Sequence, residues 1–150
     1  GVGATLQKAV SMARGQWIAR LDSDDAYAPD YLEARYNYIQ EHDDDWVLHG
    51  GKKVIGGSEY VVDAEDGNRL IHYSTTSQGP TLIIRKDKLE DIGGFSDMRY
   101  GEDWELMQRI RQHYPHNIHK LYDGRYIYYR DNAESLTHQA LKNHRHEDTA

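Results

Sequence analysis

The chain has 150 residues, a formal net charge of −7, 38% hydrophobic and 29% charged residues, and no cysteine. That length can bury a real core, and the dispersed charge is that of a globular chain rather than a disordered one. The negative balance disfavours nucleic acid as a partner, and the lack of cysteine excludes a disulfide framework, a thiolate nucleophile and a Cys-based zinc site.

In chain order, "ATLQKAVSMARG" sets Leu6, Ala9, Val10 and Ala13 on one helical stripe, with Gly15 placed to end the helix. "QWIARLD" reads as a strand that runs abruptly into Asp22, Asp24 and Asp25. Pro29 suits the first turn of the next helix, with Asp30 and Glu33 near its positive end and Leu32, Tyr36 and Ile39 as the buried stripe. "WVLHGGKKVIGG" and "EYVVDAEDGNRLIHY" give two or three strands with turns at Gly50-Gly51, Gly56-Gly57 and Asp66-Gly67. "GPTLIIRK" has strand length, and "KDKLEDIGGF" is a short helix stopped by Gly93-Gly94. "GEDWELMQRIRQHY" is a helix with Trp104, Met107 and Arg111 on one face and Leu106 and Ile110 on the next, ended by Pro115. "HKLYDGRYIYYR" is one strand or a hairpin at Asp123-Gly124, and the tail from Asn132 starts helical and ends polar. No run reaches the ~18 apolar residues of a spanning helix and no signal peptide is visible, so no transmembrane segment and a cytoplasmic location are expected. Twelve tyrosines against one phenylalanine suit either half-buried clefts that stack on sugars or a wet core boundary.

Two acidic clusters carry the chemistry. In an α/β sheet, ligands bind beyond the carboxyl ends of strands, where "LDSDD" falls. Hard oxygens at Asp22 and Asp24 suit Mg²⁺ or Mn²⁺; the same residues also suit a polar turn that caps the next helix. In "GEDWEL", Glu102 and Asp103 open a helix after a glycine. They can complement the helix dipole with no further role, or supply a general base to a substrate hydroxyl.

Taken together with their context, "MARGQWIARLDSDDAYAPDYLE", "GPTLIIRKDKLEDIGGFSDMRYGEDWELMQRI" and "YYRDNAESLTHQ" resemble the family 2 glycosyltransferases of GT-A fold over nearly the whole chain. The resemblance implies an α/β fold, a partial GT-A (Rossmann-like) mixed sheet flanked by helices, forming a single domain over residues 1–150. It implies that Asp22 and Asp24 hold a divalent cation (Mg²⁺ or Mn²⁺) and the donor diphosphate, with Asp25 as a supporting acid. Asp103 then matches the general base, Glu102 an acceptor or positioning contact, Arg109 the arginine after that motif, Gln78–Thr81 the acceptor-side segment and Arg130 the closing segment's arginine at the donor. His138 is a candidate late metal or phosphate ligand, equally readable as an exposed histidine. The implied partners are a nucleotide-sugar donor and a glycan, lipid-linked or other hydroxyl acceptor. One base without a protein nucleophile implies inversion at the anomeric carbon.

Two departures stand out. The family places strands for the nucleotide base before the first block, whereas one helix precedes "LDSDD" here, so the chain reads as the C-terminal catalytic and acceptor part of a GT-A domain. The strand at Gln16–Leu21 is then left with an unpaired edge, and a homo-oligomer or an N-terminal half in trans is expected. Arg20 stands where the family has an apolar residue and requires a carboxylate or phosphate partner. The competing readings are a non-catalytic glycosyltransferase-like fragment that binds sugar or a protein, and a nucleotidyltransferase; the latter is disfavoured because no Gly-rich phosphate loop follows a strand.

Overall fold

The structure, a computed structural model, describes residues 1–56, 60–62, 66–72, 79–99 and 101–129. The helices are α1 (Val2–Met12), α2 (Tyr31–Glu41), α3 (Lys86–Asp91) and α4 (Glu102–His113). The strands are β1 (Trp17–Ala19), β2 (Ala26–Tyr27), β3 (Val47–Ile55), β4 (Tyr60–Val62), β5 (Leu70–His72), β6 (Ile83–Arg85) and β7 (Ile118–Tyr129). A 3-10 turn, Gly79–Thr81, leads into β6.

The apolar runs at Val47–Leu48 and Leu82–Ile84 are buried on both faces, which sets them at the centre of a layered fold. The sheet order is β1-β6-β3-β7-β2, and β4 and β5 form a separate hairpin. β6 runs antiparallel to both β1 and β3, β3 runs parallel to β7, and β2 closes the far edge antiparallel to β7. One face buries Val10, Leu89, Phe95, Leu106, Met107 and Ile110 from the α1, α3 and α4 side. The other buries Tyr31, Leu48, Ile83, Tyr126 and Tyr128 under α2. This is the α/β mixed sheet flanked by helices that the sequence implies. Among the described residues, β1 pairs with β6 alone and forms one edge of the sheet. No helix among them is long and apolar enough to cross a membrane.

Several local expectations shift. In α1 the inward stripe is Gly3, Leu6 and Val10, with Ala9 exposed, and the helix ends at Met12 rather than running to Gly15. Gly3 faces inward because the Ser96 carbonyl crosses it: a Cβ there would lie 1.5 Å from that oxygen. In α2 the N-cap is Asp30, so Pro29 lies outside the helix. Tyr31 and Arg35 face the sheet while Leu32 and Tyr36 are 56% and 62% exposed. The apolar pattern was misleading because the buried position belongs to a charge. Arg35, 3% exposed, sets its guanidinium over the Tyr31 ring and forks onto Asp123 at 2.5 and 3.1 Å. In α4, Met107 joins Leu106 and Ile110 in the core, whereas Arg111 is exposed.

Gly50-Gly51 is no turn. Both residues have positive φ inside a continuous β3, where the register with β7 slips. Gly50 pairs with Leu121 and Lys52 with Tyr126, so residues 122–125 of β7 bulge out around Asp123-Gly124. That bulge brings Asp123 to Arg35.

Burial alone raises the Asp123 carboxyl, but the hydrogen bonds from Arg35 and Arg125 outweigh it, and its pKa lies below the usual aspartate value. A depressed carboxylate pKa gives stability that is complete above the unfolded value near ~4 and lost as pH falls through the folded one. Asp123→Ala leaves the buried Arg35 without its counter-ion and is expected to cost about 3 kcal/mol at pH 7. The difference from the unsubstituted chain should shrink below pH 4, as read by urea unfolding across a pH series.

Candidate active site

β1 ends at Ala19, and the Arg20 N–H still reaches across to the Leu82 carbonyl (3.1 Å). The chain then folds Asp22–Asp25 into a tight turn closed by the Asp25 N–H on the Asp22 carbonyl (3.1 Å). Two phenols hold this turn. Tyr27 on β2 donates to the Arg20 carbonyl (2.7 Å), and Tyr126 on β7 donates to Asp25 Oδ2 (2.7 Å) while accepting from the Asp22 N–H (3.3 Å). The Tyr27 ring stacks on Tyr31 at 3.9 Å, and both meet Tyr126 edge-on. Part of the tyrosine excess therefore forms the scaffold behind the acids.

The second acidic cluster starts α4 after Gly101, whose φ of 85° sets the chain's entry into the helix. Glu102 is buried (5% exposed), and its Oε1 accepts from Arg20 Nη2 at 2.8 Å. Arg20, 8% exposed, donates through Nε to Asp22 Oδ1 at 3.0 Å. One guanidinium thus clamps the two acidic motifs together across 82 residues of sequence. Its Nη1 has no hydrogen-bond partner among the described residues. Asp103 lies in the same electrostatic neighbourhood, and its Oδ1 accepts the Trp104 N–H at 2.7 Å. The 3-10 turn lies against it: a Cβ on Gly79 would sit 2.3 Å from Asp103 Cβ and 2.6 Å from Oδ2. The absence of a side chain at Gly79 makes room for the Asp103 carboxylate.

Burial pushes the Asp22 carboxyl up, Arg20 pulls it back, and the Asp103 and Asp24 charges add to the rise. Asp25 is pushed up to about 6, first by burial and then by Asp24 and Asp22, against the hydrogen bond from Tyr126. Its Oδ1 is buried without a hydrogen-bond partner among the described residues. Burial lowers the Arg20 guanidinium, and Asp22, Asp103 and Glu102 more than offset that, so its pKa is raised. A cluster this acidic favours a cation. Among the described residues no three metal-ligating side chains are assembled. Asp22 and Asp24 instead fit a partial shell of hard oxygens, the kind Mg²⁺ completes with phosphates and water.

Asp22, Asp24, Asp25, Glu102 and Asp103 therefore meet at one end of the sheet. Arg109 lies apart from them: it pairs with Glu105 at 2.6 Å and holds the Ile92 and Gly94 carbonyls after α3, a bracing role. Arg130, Gln78 and His138 lie outside the described residues. A cleft of about 770 Å³ opens at the start of β1, lined by residues such as Arg14, Trp17, Ile39, Arg85 and Glu90, and none of the site acids lines it. Gly79 falls within the acceptor-side segment Gln78–Thr81 that the resemblance implies, whereas the sequence did not single out Tyr27 or Tyr126 for the site; the alternating tyrosines of "RYIYY" were the available signal for Tyr126.

The family model described as Glycosyl transferase family 2 matches residues 1–97, which include the Asp22–Asp25 turn and end before α4. The O-antigen biosynthesis glycosyltransferase WbnJ of Escherichia coli is 28% identical over 115 residues, covering 73% of this chain and 45% of that protein. The amylovoran biosynthesis glycosyltransferase AmsE of Erwinia amylovora is 28% identical over 118 residues, covering 73% and 44%. The chain thus spans less than half the length of these curated relatives. A crystal structure of S. aureus TarS superposes with a TM-score of 0.65 at 22% identity, covering 86% of this chain and 40% of that one, and shares the GT-A-like fold.

Gly79→Ala forces its Cβ into Asp103 and is expected to destabilise the chain by about 1–3 kcal/mol, the scale of overpacking. Asp103→Gly removes the clashing atoms, so the two changes should be strongly non-additive in a double-mutant cycle read by urea unfolding. Simple additivity would show that Gly79 does not set the position of Asp103.

Proposed function

Because this chain belongs to glycosyl transferase family 2, we propose that it is the catalytic part of an inverting enzyme that moves a sugar from a nucleotide-diphosphate donor to an acceptor hydroxyl. The observation that carries the reading is the Arg20 clamp, which joins Asp22 of the first acidic motif to Glu102 of the second in one site. Asp22 and Asp24 would hold Mg²⁺ or Mn²⁺ with the diphosphate, and Asp25, fixed by Tyr126, supports the turn that presents them. Bound there, the cation supplies charge neutralisation for the departing diphosphate. Asp103 is the better base of the two acids on α4. Glu102 is buried and paired with Arg20, which suits a positioning role, whereas Asp103 is half-buried and can accept the acceptor proton. The names of the relatives, O-antigen and amylovoran biosynthesis, support a glycan or lipid-linked glycan as acceptor.

A second reading is favoured by the sheet edge. β1 has one unpaired side among the described residues, and the chain spans less than half of its curated relatives. On that reading the chain is a glycosyltransferase-like fragment, inactive until another polypeptide or a second copy covers the edge. Sedimentation equilibrium across a concentration series should show self-association, weakened by Ala19→Lys, which puts a charge on the exposed edge. A clean monomer at all concentrations would remove this reading.

Activity is tested by incubating the chain with Mn²⁺ and a panel of nucleotide sugars and following release of nucleoside diphosphate. Release is expected for the matching donor, and Asp103→Asn should lower acceptor-dependent turnover by ~10²-fold or more with little change in donor affinity. Near-full turnover by Asp103→Asn would assign the base elsewhere. Absence of release by the chain, alone and mixed with its associated form, would favour the non-catalytic reading.

A further inference from the structure

Arg20 is a cation that contacts two of the site acids, Asp22 and Glu102. It is buried, donates to Asp22 at 3.0 Å and to Glu102 at 2.8 Å, and keeps an Nη1 donor with no acceptor among the described residues. A guanidinium in this position does more than brace the fold. It places a fixed positive charge against Asp22, one of the two carboxylates expected to receive a divalent cation. A cation arriving alone meets Arg20 as a like charge and competes with it for the same Asp22 oxygen. A cation arriving with a diphosphate brings a net negative group, for which the same guanidinium is favourable.

We propose that Arg20 is a resident counter-ion that keeps a bare divalent cation out of the acidic turn and makes metal binding conditional on the donor's diphosphate. The inference rests on the assignment of Asp22 and Asp24 as the metal side of the site and gives Arg20 a positioning and selectivity role there. Binding of the metal and of the diphosphate is then cooperative, and the coupling passes through one side chain. A purely structural brace predicts the opposite sign on removal, because a loosened turn binds metal more weakly.

The test measures free Mn²⁺ by electron paramagnetic resonance at fixed ionic strength, titrating the chain with Mn²⁺ alone and with Mn²⁺ plus inorganic pyrophosphate as a base-independent probe. The unsubstituted chain should bind Mn²⁺ alone weakly and much more tightly with pyrophosphate. Arg20→Gln removes the charge but keeps hydrogen-bonding groups. It should bind Mn²⁺ alone about tenfold tighter and lose about tenfold of the pyrophosphate enhancement. Arg20→Lys keeps the charge and should stay within about threefold of the unsubstituted chain for Mn²⁺ alone. If Arg20→Gln does not fold, the Arg20→Gln, Glu102→Gln pair removes the buried Arg20–Glu102 ion pair as a unit, leaves only the part-exposed Asp22 without its cation, and should show the same tightening, reduced in size. Unchanged or weaker Mn²⁺ binding in the charge-removed variants overturns the proposal, while loss of binding in the Asp22→Asn, Asp24→Asn chain would leave the site assignment intact. If the unsubstituted chain takes up no Mn²⁺ even with pyrophosphate, the metal assignment itself fails and the proposal falls with it.

Discussion

The fold depends on a buried positive charge that has to be compensated. Arg20 emerges from the edge strand into a protein interior where an isolated guanidinium is untenable, and it is tolerable only because Asp22 and Glu102 reach it from two directions. That requirement pulls the start of α4 against the end of β1. It thereby sets where Asp103 lies, what the 3-10 turn before β6 has to clear, and why Gly79 has no side chain. An apolar residue at position 20 would tie nothing together and would leave the buried Glu102 carboxylate without this cation. In this chain, part of the fold's polar cohesion and the geometry of its acidic site come from the same atoms.

Behind that clamp, the molecule uses phenols where many cores use phenyl rings. Tyr27, Tyr31 and Tyr126 pack as a stacked and edge-on group, and the hydroxyls of Tyr27 and Tyr126 hold the backbone and a carboxylate of the acidic turn. A phenylalanine core would leave those groups unsatisfied next to several like charges. On the same side of the sheet, Arg35 over Tyr31 and onto Asp123 repeats the arrangement: a buried cation, an aromatic face and a carboxylate carried in by a bulge.

Much of this was legible in the sequence, for identifiable reasons. The apolar runs at Val47–Leu48 and Leu82–Ile84, the glycine stops after α3 and the acidic ends of β1 and α4 all follow local rules, and local rules predicted them. The failures are long-range. Leu32 and Tyr36 read as a core stripe from their spacing alone, and only a partner 88 residues away makes Arg35 an interior residue. Gly50-Gly51 looked like a turn because two glycines with positive φ often make one, whereas here they serve a strand whose parallel neighbour carries extra residues. The need of Arg20 for a carboxylate or phosphate partner could be inferred from its place where the family has an apolar residue; which partner could not.

The strand pairing that completes the scaffold also sets an order of events. The residue that holds Asp25 is on β7, 101 positions later in the chain, and β2 has β7 as its only sheet neighbour among the described residues. As the polypeptide leaves the ribosome, the acidic turn is made early and held late. Through the synthesis of α2, β3, β6 and α4 its carboxylates lack Tyr126 and remain hydrated, and closing so long a loop is a slow, entropically opposed step. The chain is therefore chemically unfinished until its last described strand docks. A nascent or truncated form ending at α4 would carry every acid of the site and the Arg20 clamp, yet lack the phenol that fixes Asp25.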